Sequence, residues 1–209
     1  MGEPGGRRVR ARFAVSSKRE PTRRTFWPGL RSVAVMLGFV VVLLAAAARG
    51  STASSSVGCR MRQLVLTLGP LVSEATGQHT LALRLTNRDP ATCVLYGYPV
   101  IKLYDGAGRI PFAIRHGGDQ MISSRLPGRV VVRPGRAAFV VLNHYRCDLG
   151  DLRSAKVVAV ARAGARAAGS RSITITDPLR RPSYCGKGDP GSTFVVSPFV
   201  SSLEAALKH

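Results

Sequence analysis

The sequence predicts an all-β protein. The expected architecture is an immunoglobulin-like antiparallel β-sandwich of about eight or nine strands, preceded by a basic arm and one apolar export or anchor helix. Three observations lead there. After Cys59, short β-branched or alternating runs recur at a spacing of roughly ten residues. Gly, Pro, Asn and Asp punctuate those runs. No amphipathic stretch of about 12 residues, the length a packed helix needs, interrupts them. A solenoid or propeller is excluded, because no repeat of roughly 20–50 residues is present.

In chain order, Gln63–Leu68 (QLVLTL) is the first expected strand. Thr80–Thr86 (TLALRLT) alternates Leu81, Leu83 and Leu85 against Ala82, Arg84 and Thr86, which suits a half-buried antiparallel strand. Asn87-Arg88-Asp89-Pro90 is turn chemistry. Val94–Tyr98 and Val100–Tyr104 come next, with Pro99 limiting pairing at their junction because it has no N–H to give a ladder. Asp105-Gly106-Ala107-Gly108 predicts a hairpin into Ile110–Ile114. Arg129–Val132, a Pro134-Gly135 turn and Ala137–Leu142 form another strand–turn–strand. Lys156–Ala161, Arg171–Thr176 and Phe194–Val196 supply the remaining strands. The tail from Ser202 is helix-prone but too short to hold a helix alone, so it is expected to fray.

The chain has 209 residues, enough for one domain with an appendage. With 45% hydrophobic and 20% charged residues it can fill a core. It has 31 Lys plus Arg against 11 Asp plus Glu, a formal charge of +20. Only five of the cations are lysines, at 18, 102, 156, 187 and 208. An arginine excess beside so much Ala, Gly and Val matches a GC-rich coding bias, which weakens inference from charge alone. Aromatics are 6%, too few for a stacking-based nucleic-acid binder, so no nucleic-acid partner is expected.

The predicted organisation is a basic cytoplasmic arm (1–31), a signal sequence or single transmembrane anchor (32–49), a Ser-rich linker (50–58), the β-sandwich (59–198) and the frayed tail (199–209). The arm and Ser32 together carry nine basic residues against two acidic ones. From Ser32 to Ala48 the chain reads SVAVMLGFVVVLLAAAA, without a charge, between Arg31 and Arg49. Positive charge ahead of an apolar run stays in the cytoplasm, and the chain beyond the run is pushed across the membrane. Small residues at Ser51 and Ala53, or at Ala46 and Ala48, would allow cleavage. Arginines at both ends would equally tolerate an anchor that spans the membrane through 32–49. Lipidation at Cys59 is disfavoured, because ten residues, mostly small and polar, separate it from the apolar run.

All four cysteines, Cys59, Cys93, Cys147 and Cys185, lie after the export segment, at spacings of 34, 54 and 38. None forms a C-x-x-C pair, so no metal site and no cofactor are expected. An even number in an exported chain argues for two disulfides. Of three possible connectivities, Cys59–Cys93 with Cys147–Cys185 is expected, each bond stapling one half.

One ordered set of residues is more specific than any single motif. Leu83–Asn87 (LRLTN), Cys93, Gly97-Tyr98-Pro99-Val100, Leu103-Tyr104-Asp105 and Gly108 precede Pro134-Gly135, Cys147 and Cys185. The set resembles a secreted actinobacterial family catalogued as domain of unknown function 4232, over roughly residues 59–198. The resemblance implies an exported or lipid-anchored cell-envelope β-sandwich. It implies no activity, ligand or catalytic residue.

Chemical motifs are sparse. The histidines are His79, His116, His144 and His209, without an H-E-x-x-H. His116 lies near Asp119 and His144 near Asp148, so an exported hydrolase using His116 or His144 is the alternative to a non-enzymatic binding or structural module. No serine sits in a G-x-S-x-G elbow. Tyr96 and Tyr98 flank Gly97 and on one strand would share a face as an aromatic platform. Arg125, Arg129, Arg133 and Arg136 cluster nearby. Beyond Gly50 there are 21 Lys plus Arg against nine acids. These residues form the candidate binding surface, and an anionic envelope polymer or lipid headgroups are the expected partners by electrostatics. Protein partners carry no sequence signal.

Overall fold

A computed structural model of the chain describes residues 57–148, 150, 152–164 and 169–208. The expected arm, the 32–49 segment and most of the linker lie outside these residues. Among the described residues no helix is long and apolar enough to cross a membrane.

The described chain is all-β, with thirteen strands where about eight or nine are expected, because Pro111 divides one apolar run and two strands of two residues each carry no readable period. The thirteen are β1 (Leu64–Leu68), β2 (Gln78–Asn87), β3 (Cys93–Tyr96), β4 (Pro99–Asp105), β5 (Gly108–Ile110), β6 (Ala113–His116), β7 (Arg129–Val132), β8 (Ala137–Tyr145), β9 (Arg153–Ser154), β10 (Val157–Arg162), β11 (Ser170–Thr174), β12 (Ser183–Tyr184) and β13 (Thr193–Val196). A five-stranded sheet runs β1-β2-β8-β13-β6, and a four-stranded sheet runs β11-β10-β4-β5. Two ribbons, β3-β7 and β9-β12, complete the pairing. Contrary to the all-antiparallel expectation, β13 and β6 run parallel.

Local chemistry explains the breaks. Ile110–Ile114, expected as one strand, divides at Pro111, which has no N–H for a ladder. β5 then pairs with β4, and β6 crosses to the five-stranded sheet. Pro99 marks the division between β3 and β4, which lie in separate sheets. The Asp105–Gly108 hairpin forms as expected, with Asp105 opposite Gly108. The Asp105 carboxylate also takes both Nε and Nη2 of Arg153, at 2.6 and 2.7 Å. That bidentate contact holds its acidity at about 2, below the usual carboxylate range.

The alternation of β2 and β8 sets the core. Leu81, Leu83 and Leu85 with Val140 and Leu142 meet Ile101, Leu103, Val158 and Val160 of the other sheet, and Leu95 and Val132 of the β3–β7 ribbon join them. Both disulfides close with the expected partners, Cys59–Cys93 and Cys147–Cys185, and no described cysteine is free.

The tail corrects the fraying expectation. Phe199 and Val200 are buried, and Val200 exchanges backbone hydrogen bonds with Phe139 at 2.8 and 3.1 Å. The Ser123 N–H donates to Ala206 O, and the Lys208 N–H donates to Met121 O, each at 2.9 Å. A second apolar cluster, including Met121, Ile122, Val141, Val195 and Ala206, therefore covers the outer face of the five-stranded sheet. The tail is too short to be a helix, but it holds because tertiary contact replaces intrinsic propensity.

Candidate functional site

The candidate surface begins on the β3–β7 ribbon. In register, Cys93 faces Val132, Val94 faces Val131, Leu95 faces Val130 and Tyr96 faces Arg129. Strand alternation sends Leu95, Val130 and Val132 inward. Tyr96 (65% exposed), Arg129 and Val131 (54% exposed) stand on the other face. Arg133 continues the alternation beyond β7 and is exposed. Arg136 comes next across the turn, where its N–H donates to Arg133 O at 3.0 Å. Arg125 is exposed on the loop before β7.

The two tyrosines do not form one platform. Gly97 adopts φ +83°, a left-handed conformation open to glycine, and ends β3 at Tyr96. Tyr98 instead lies against His116, with parallel rings 4.1 Å apart. The structure thus brings together Tyr96, Arg129 and Arg133, and separates Tyr98 onto a stack with β6.

His116 is exposed on β6, while His144 on β8 is 2% exposed. The His144 Nδ1 lies 2.8 Å from the Gly191 carbonyl. A carbonyl can only accept, so Nδ1 bears the proton and Nε2 is left as an acceptor without a partner. Phe194 and Phe112 pack around the ring. Burial, with repulsion from His79, pushes the His144 imidazolium down to about 4. Neither His116 nor His144 hydrogen-bonds a hydroxyl or a carboxylate among the described residues.

His79, which no sequence motif marks, sits directly opposite His144 with ring centroids 5.3 Å apart. The signal was present: His79 is two residues before Leu81 and His144 two after Leu142, so alternation turns both toward the core. His79 Nδ1 lies 3.5 Å from Glu74 Oε1, and Glu74 Oε2 accepts from Arg146 at 2.7 Å. No group of three or more metal-ligating side chains occurs among the described residues.

A cleft of about 540 Å³ opens on the outer face of β8, β13 and β6. Arg115, Gln120, Tyr145, Val195 and Lys208 are among its walls. No sequence motif marks it, because its parts come from four separate segments.

The family model described as Domain of unknown function (DUF4232) matches residues 59–200. No curated protein and no solved structure matches the chain.

Proposed function

The chain belongs to the Domain of unknown function (DUF4232) family, and from that premise we propose that it is an exported, non-enzymatic cell-envelope module that binds a polyanion. The observation that carries the reading is the outer face of the β3–β7 ribbon. There an exposed aromatic ring and an exposed valine alternate with arginines, over a core held by the Cys59–Cys93 bond. Clustered guanidinium groups attract and orient acidic oxygens, and the ring and valine supply apolar contact between them. Two closed disulfides are compatible with maturation outside the cytoplasm. An apolar segment at 32–49 would carry the domain there, as a cleaved signal or as an anchor.

The test is titration of the full-length oxidised chain with soluble polyphosphate, with neutral dextran as control. Wild type should bind the polyanion with a steep salt dependence. The pair Arg129→Gln and Arg133→Gln should weaken it about tenfold, since charge-assisted contacts are lost with little change in shape. Equal binding by wild type and the double variant overturns the reading, as does hydrolytic turnover on envelope material that disappears in His116→Ala.

A further inference from the structure

The outer-face cleft is a second site, independent of the ribbon. Its floor is laid by three strands. Val195 of β13 pairs in register with Arg115 of β6 and with Asn143 of β8. Val195 belongs to the outer apolar cluster, so Arg115 and Asn143 stand on that same outer face. Tyr145, two residues beyond Asn143 and 47% exposed, shares the face. Lys208 closes one wall, fixed by its N–H donating to Met121 O at 2.9 Å.

The chemistry of the cleft is lopsided. Its one carboxylate, Asp119, is already committed. Oδ1 accepts from the Met121 and Ile122 N–H groups at 2.7 and 2.6 Å, and Oδ2 accepts from Asn143 Nδ2 at 2.8 Å. Asn143 in turn is spent on Gln78 and Thr80. Arg115 and Lys208 have no ion-pair partner among the described residues. The walls therefore offer donors and positive charge, beside the apolar Val195 and Pro190 and the ring of Tyr145. A volume of about 540 Å³ matches small-ligand sites, which run from roughly 300 to 1,000 Å³.

We infer that this cleft binds an acidic saccharide, its carboxylate held between Arg115 and Lys208 and its ring laid against Tyr145 and Val195. Two cations select a carboxylate over a hydroxyl, and an aromatic wall beside an aliphatic floor suits the apolar face of a sugar ring better than it suits a bare anion.

The experiment is calorimetric titration of the full-length oxidised chain at low salt with tetragalacturonate, maltotetraose and inorganic phosphate. Tetragalacturonate should bind, with affinity falling about tenfold in Arg115→Gln and again in Lys208→Gln, and severalfold in Tyr145→Ala. These side chains are exposed, so an unchanged melting curve should accompany the loss. Maltotetraose should not bind. The ribbon double variant at Arg129 and Arg133 should keep the part of the tetragalacturonate binding that is sensitive to Arg115 and Lys208, which keeps this site separable from the polyanion face. The inference is overturned by no uronate binding, by equal binding of maltotetraose, by binding indifferent to Arg115 and Lys208, or by phosphate reproducing the variant-sensitive binding.

Discussion

Gly191 shows how one residue can be fixed by its neighbours. A Cβ there would collide with Cys185 Sγ and sit 2.7 Å from Tyr145 O, so the position excludes every side chain. Gly191→Ala is expected to cost about 1–3 kcal/mol through overpacking and to slow closure of the Cys147–Cys185 bond. Gly106→Ala, where a Cβ meets nothing within 4 Å, should stay within about 0.5 kcal/mol. Thermal melting and thiol counting check both. His144 adds a pH effect. Its imidazolium falls from an ordinary 6.5 in the unfolded chain to about 4 in the fold, beside His79 and Glu74. The stability this lends is present above pH 6.5 and is lost as pH falls from 6.5 toward 4, by roughly 3 kcal/mol. Urea denaturation across that window should show the slope, and His144→Gln should flatten it. The arginines do more than their abundance suggests. Composition points to side chains that merely solvate the surface, yet several satisfy backbone carbonyls that no ladder reaches. Arg162 donates to Cys59 O at 2.6 Å, Arg171 to Met61 O and Leu64 O at 2.9 Å, and Arg180 to Gly69 O at 2.9 Å. A guanidinium fork is suited to this work, but its target lies far off in sequence and leaves no local signal.

At the scale of elements, the long strands were legible and the short ones were not. β2 and β8 announce themselves because alternating leucines and valines fill one face. β9 and β12 are two residues each, too short for any period to register. β6 was hidden by its merger with β5, because an apolar run across Pro111 reads as continuous. The tail departs from expectation for a different reason. Its sequence argues helix, and its structure is decided by an apolar sheet face that only the fold creates. Deleting residues 202–209 should uncover Met121, Ile122, Val141 and Val195. A loss of about 3 kcal/mol is expected from the buried apolar surface removed, together with new binding of a hydrophobic dye. An unchanged melting curve would show that the outer cluster does not depend on the tail. The candidate ribbon face was half legible. The arginines and Tyr96 stood out in the sequence, whereas the turn at Gly97 that removes Tyr98 did not.

Across the whole molecule, the all-β class and both disulfide partners were readable because pattern and spacing are properties of the chain alone. The outer-face cleft was not readable, since Arg115, Tyr145, Val195 and Lys208 are brought together by sheet order. The pairing of β13 with β6 in parallel is what sets Arg115 beside Val195, and no local rule foretells it. The two disulfides also determine how the molecule would respond to traction. Tension entering ahead of Val57 and leaving past Lys208 would pass from Cys59 straight to Cys93, and from Cys147 straight to Cys185. β1, β2 and the strands between the second pair lie off the covalent path of the force and could not be drawn out, although β2 and β10 would still be sheared through their pairing with β8 and β4, so the extensible length of the domain is confined to the segments outside its two covalent loops.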